Sequence, residues 1–204
     1  MGELRLSYPA CVIAGKTRLT VDDIAILREH VFVPGITASQ DAVILLAING
    51  SCSEKCPEWH RYFIDAMTEF IVRTSYPQGA MDEWNADWLI AMISTRGVVN
   101  SRIELDLLFH IIDISTKIPD SLSIFALEQI RMAMTEDASA SASAWAGLRG
   151  SRQNGLQKAD ILLIARVMSA IARSRGSQLT LRERRMLEQV GILTGLSGER
   201  IEAA

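Results

Sequence analysis

The chain has 204 residues, 49% of them hydrophobic and 22% charged, and a net charge of −3. That balance specifies a chain that folds, and its length suits one domain or one and a part. The longest stretch without a charged residue, Ala42 to Ser53, has 12 residues, against about 20 for a membrane-spanning helix. Glu3 and Arg5 precede a short apolar patch, which is not a secretory-signal pattern. Three cysteines exclude a disulfide scaffold and suit a reducing compartment, so a cytoplasmic setting is expected.

Residues 1–19 read as an extended N-terminal arm. Within it, Ala10-x4-Gly15-Lys16-Thr17 matches the loose form of a phosphate-binding loop. That motif works because glycines let backbone N–H groups wrap a phosphate while Lys adds charge and Thr holds magnesium. Here the interior is Cys11-Val12-Ile13-Ala14, apolar and without an early glycine. No alternation of strand and helix comes after it, so no nucleotide site is expected.

The apolar period is helical almost everywhere downstream. Thr20-x-x-Asp23 is a weak helix start, and Thr37-x-x-Gln40, Ser101-x-x-Glu104 and Thr180-x-x-Glu183 fit the reciprocal capping box. Gly35, Gly97 and Gly176 stand in the gaps before those three boxes, where glycine can take the left-handed conformation that ends a helix. Ala42 to Ile48 is apolar on all sides and reads as a central buried helix. Pro57 marks the first turn of a helix whose stripe is Trp59, Tyr62, Phe63, Ala66, Met67, Phe70 and Ile71. Trp84, Trp88, Leu89, Met92 and Ile93 form a second stripe, and Ile103, Leu107, Leu108, Ile111 and Ile112 a third. No segment alternates apolar and polar residues for long, so almost no sheet is expected.

Asp23 to Leu27 resembles Asp160 to Ile164, and Gly35 to Ile44 resembles the stretch ending at Leu187. Residues 20–135 are therefore read as one helical domain. Residues 136–155, with Ala138 to Ala144, Gly147, Gly150 and Gly155, read as an Ala/Ser/Gly-rich linker. Residues 156–204 read as a C-terminal helix pair, a partial second repeat. A lone pair buries too little apolar surface to stand alone, so it must pack on the first domain or on another chain, which favours self-association. The expected fold is all-α, a helical bundle of about eight helices built from repeated helix–glycine loop–helix pairs.

Gly35-Ile36-Thr37-Ala38-Ser39-Gln40 and Gly97-Val98-Val99-Asn100-Ser101 with Glu104 resemble the glycine loops of the TerB-like family of small helical bacterial domains; Gly176 to Glu183 is a looser third case. The resemblance implies a TerB-like helical fold and an association with tellurite resistance and stress response. The same pattern resembles a degenerate EF-hand. Where family members carry an acidic residue before the glycine, this chain has Pro34, Arg96 and Arg175. Val31 to Gln40 and Ser94 to Ile103 leave almost no oxygen ligands for calcium, which needs about five or more.

Charge is uneven. Residues 1–137 hold 19 acidic and 11 basic side chains, residues 138–204 hold 5 and 10. The basic segment has one aromatic, Trp145, and so offers almost no base-stacking platform. Docking of this segment on the acidic body or on an acidic partner is expected in place of nucleic-acid binding. Trp145 reads as an anchor for it, while Trp59, Trp84 and Trp88 read as core residues.

Cys52, Cys56 and His60 are spaced by four and could share a helix face as zinc ligands. A helix starting at Pro57 would leave Cys52 in the preceding loop, and a fourth ligand among Cys11, His30 or His110 is not placed by the sequence. His30, His60 and His110 have no evident nucleophile partner, and no Gly-x-Ser-x-Gly elbow is present. Asp65 with Glu69, and Asp82 with Glu83 and Asp87, could pair for acid–base chemistry but also suit exposed helix faces. No catalytic residue, metal site or cofactor is specified. The expected function is that of a non-enzymatic, protein-interaction or stress-response-associated module, with a zinc-binding stress protein and an enzyme with a hidden pocket as alternatives.

Overall fold

The computed structural model describes residues 7–134, 144–145, 147–148, 156–176 and 178–191. Among these residues the protein is helical, with nine helices and four strands of two residues each. The chain divides between Gln78 and Gly79 into two compact units. This boundary falls inside residues 20–135, expected as one domain ahead of a linker over 136–155. The expected arm contains a helix that belongs to the first unit, and the C-terminal pair completes the second.

In the first unit, α1 (Tyr8–Ala14) starts with Pro9 in its first turn and packs on α3 (Ser39–Ser51). Strand β1 (Arg18–Leu19) pairs in parallel with β2 (Glu54–Lys55). Helix α2 (Val21–Ile26) runs into a π-helical turn, Leu27–Val31, and α4 (Pro57–Thr68) runs into another, Glu69–Thr74. Each turn is closed by a wide backbone bond, Phe32 N to Leu27 O at 2.8 Å and Ser75 N to Phe70 O at 2.9 Å. The core collects Ile13, Leu19, Leu27, Leu45, Ile48, Trp59, Phe63 and Met67. Within α3 the stretch Ala42 to Ile48 is mostly buried, as its apolar sequence predicts, although Ala47 is exposed.

In the second unit, α5 (Glu83–Ile93) leads into the antiparallel hairpin of β3 (Ser94–Thr95) and β4 (Val98–Val99). Helices α6 (Arg102–Ile114), α7 (Asp120–Met134), α8 (Lys158–Arg175) and α9 (Leu181–Gln189) complete it. Helix α7 is central and packs against α5, α6, α8 and α9. Gly97 does not end a helix. Arg96 and Gly97 have φ of 55° and 79°, the left-handed pair of a two-residue hairpin. Gln129 of α7 pins this hairpin, accepting from Val99 N at 3.0 Å and donating to Gly97 O at 2.8 Å.

The basic C-terminal helices dock within the chain. Arg166 of α8 meets Asp113 at 2.5 Å, and Arg173 donates to the carbonyls of Ile112 and Asp113 at the end of α6. Cations there complement the negative end of the helix dipole. Of the linker expected over 136–155, only Ala144, Trp145, Gly147 and Leu148 lie among the described residues. Trp145 is buried, 5% exposed.

The caps obey a common rule with one correction. Thr20 with Asp23 and Thr180 with Glu183 form full reciprocal boxes, and Ser101 accepts from Glu104 N. The Thr37–Gln40 box does not form. Helix α3 starts one residue later, and Asp41 accepts from Ala38 N and Thr37 N at 3.3 and 3.4 Å. An ionised carboxylate is the stronger acceptor at a helix N-terminus than the Gln40 amide.

Candidate functional site

The phosphate-loop match folds as something else. Ala10 to Ala14 is the body of α1, and Gly15 is its right-handed cap, with φ −81°. Lys16 is taken by Asp23, and the Thr17 carbonyl accepts from Glu54 N and Ser53 Oγ. Backbone N–H groups bonded inside a helix cannot also wrap a phosphate.

The cysteine–histidine set is dispersed by the helix boundaries. Cys52 closes α3, buried, with its thiol 3.5 Å from Ile13 O. Cys56 is the half-buried N-cap of α4, and His60 lies exposed one turn in. Among the described residues no three His, Cys, Asp or Glu side chains are grouped to hold a metal. His30 is exposed beside Glu29, and His110 is half-buried on α6. Asp82 caps α5, and Glu83 accepts from Ser121 Oγ at 2.6 Å.

Two tryptophans expected in the core are not buried there. The inward face of α5 is Ala86, Leu89 and Ile93. Trp84 stands roughly 140° round the helix from Leu89 and is 79% exposed, while Trp88 is half-buried. Trp59 is buried, with its indole N–H donating to Asn49 Oδ1 at 3.0 Å.

The remaining carboxylate pair, Asp65 and Glu69, does lead to a site. Both line a groove of about 470 Å3 in the first unit, together with Arg28, Phe32, Ile36 and Tyr62. The floor is apolar, because Phe32, Ile36 and Tyr62 turn their bulk inward. The rim is charged. Arg28 and Glu69 belong to the two π-helical turns, so both wide turns border this groove. The Arg28 guanidinium sits 4.9 Å above the Tyr62 ring. Burial pushes the Tyr62 phenol up to about 12, although the Arg28 charge pulls the other way, so the phenol stays protonated.

Among the described residues, Asp65 and Glu69 are held only by exposed partners one turn away, Arg61 at 3.6 Å and Arg73 at 3.3 Å. Such pairs contribute about 0–1 kcal/mol and exchange readily. The lining thus offers one guanidinium, two carboxylates and a protonated phenol over an apolar floor, a set suited to recognition. The sequence singles out Asp65 and Glu69 as a pair, but Arg28, Phe32 and Ile36 join them only through tertiary packing. No family model matches the chain, and no curated protein and no solved structure matches it. No helix among the described residues is long and apolar enough to cross a membrane.

Proposed function

We propose that the chain is a non-enzymatic, helical protein-interaction module whose groove on the first unit receives side chains of a partner. The observation that carries this reading is the meeting of two π-helical turns, through Arg28 and Glu69, at a single groove. Such turns are uncommon in helical proteins and recur at functional sites. An apolar floor ringed by charge is the usual anatomy of a protein-docking spot. The lining pairs no nucleophile with a base, which favours binding over reaction. The sequence resemblance of Gly35 to Gln40 and Gly97 to Glu104, with Gly176 to Glu183 as a looser third case, favours a place among TerB-like proteins, and with it a role in bacterial, cytoplasmic stress response.

The test is a titration of the isotope-labelled full chain with two synthetic peptides of equal length, one of leucine and lysine, the other of leucine and glutamate. Backbone signals of Phe32, Ile36, Ala66 and Glu69 are expected to move with at least one peptide. They are expected to stay still in an Ala66→Trp chain, whose added indole fills the groove. A Glu69→Arg chain, altered at an exposed position, gives the same reading through a reversed peptide preference if Ala66→Trp does not fold. Groove signals that ignore both peptides would overturn the proposal.

A further inference from the structure

The basic excess of residues 138–204 is only partly consumed by docking within the chain. Arg166 pairs with Asp113, and Arg175 with Glu183. Helix α9 buries Glu183 and Leu187 toward α7, keeps Met186 half-buried and turns its other residues outward. Leu181 is 76% exposed, and Arg182, Arg184 and Arg185 are exposed as well. Among the described residues no carboxylate pairs with these three arginines. Leu181, Arg182 and Arg185 stand within one turn of each other, on a face centred on Arg185.

We propose that the partner of the groove is a second copy of this chain, which supplies that face of α9. This rests on the groove being a docking site. The match is one of charge and shape. Arg182 and Arg185 are about one turn apart, as are Asp65 and Glu69 on the groove rim, so two guanidinium groups can meet two carboxylates. Leu181, 76% exposed, then meets the apolar floor of Phe32, Ile36 and Tyr62, which removes its own side chain from water. The two surfaces are different patches of the same chain. Their contact therefore either closes as a reciprocal pair, each copy giving α9 to the other, or continues as a ring or row.

The test is sedimentation equilibrium of the full chain, from about 1 μM to about 1 mM, at salt of about 0.05 M and about 0.5 M. The mass is expected to rise from 22.5 kDa toward twofold or beyond with concentration, and to fall back at high salt. Asp65→Arg with Glu69→Arg should hold the chain at single mass, and so should Arg182→Glu with Arg185→Glu. All four positions are exposed. Mixing those two variants should restore association, because each groove then faces an α9 of opposite charge.

Single variants that associate like the native chain overturn the proposal, and so does a mixture that stays single. A native chain that stays single, while the leucine–lysine peptide still moves Phe32 and Ile36, overturns the second copy as occupant and leaves the groove a docking site. A native chain that stays single beside a groove that ignores both peptides overturns both.

Discussion

The ammonium of Lys16 stands 2.6 Å from Oδ1 of Asp23, seven residues further on, while Oδ2 of the same carboxylate accepts from the Thr20 N–H and hydroxyl. One buried side chain therefore closes the loop after α1 and starts α2. Burial alone would raise the Asp23 pKa, but the Lys16 hydrogen bond, the two Thr20 bonds and the Lys16 charge outweigh it and hold the carboxyl below its ordinary value. A depressed carboxyl pKa stabilises the fold fully above the unfolded value near 4, and that contribution is lost as pH falls through the lower folded value. Asp23→Asn is expected to cost about 1–2 kcal/mol at neutral pH and to flatten the acid side of the stability curve. Denaturant unfolding measured across that pH range checks both.

Glu183 plays the corresponding part at α9. It accepts from Ser123, Arg175 and the Thr180 N–H, and these outweigh the effect of burial, so its pKa is lowered too. Its contribution has the same sign, present above the unfolded pKa and lost below the folded one. Glu183→Gln is expected to reduce amide protection across Leu181–Gln189 by about tenfold while leaving α5 unchanged. Hydrogen exchange reads both helices in one experiment, and equal protection in the two chains would contradict the expected role of Glu183.

Trp59 and Asn49 form a buried polar pair inside an apolar core. Trp59→Phe takes away the donor to the Asn49 oxygen, and Asn49→Leu strands the indole N–H. Each is expected to cost about 1–3 kcal/mol. The double substitution should cost less than the two together, because no stranded partner remains on either side of that bond. A double-mutant cycle by chemical denaturation measures the coupling.

For the cysteines, equimolar zinc is expected to leave the thermal midpoint of the native chain unchanged. Cys52→Ser is expected to lower that midpoint to the same extent with and without zinc, because Cys52 is a buried packing residue at the end of α3. Calorimetry with and without metal checks this, and a rise in midpoint on zinc addition that disappears in Cys52→Ser would revive the metal reading.

Much of the fold is legible because helix starts and apolar stripes are local. The stripe from Trp59 to Ile71 faces the core almost throughout, and the Ser101 and Thr180 caps form where their sequences place them. What escapes is set by competition. Asp41 displaces Gln40 at the start of α3 because charge wins at a helix N-terminus. Trp84 stays outside the core because it stands roughly 140° round α5 from Leu89, off the face of Ala86, Leu89 and Ile93. The arm folds as α1 because Pro9 suits a first turn and Ala10 and Ile13 have a surface to bury against. The groove was legible only at Asp65 and Glu69. Its other wall comes from the far end of α2, and no local pattern links residues that tertiary packing alone brings together.

The two wide turns make the groove sensitive to chain length more than to residue identity. A π turn differs from an α turn by one extra residue. Deleting one residue between Leu27 and Val31 would let α2 close as an ordinary helix. Because the wide turn takes up that extra residue, the chain beyond Val31 would then keep nearly its direction, whereas a deletion inside α2 with the wide turn left in place would swing it by roughly 100° and pull it back by about 1.5 Å, taking Phe32 and Ile36 away from Tyr62. A substitution at an exposed rim position leaves that frame standing. Chains that share this groove should therefore keep the residue count of the helices that lead to it, and trade a residue only at the wide turns, while their rim side chains vary, so that spacing, more than composition, marks the site.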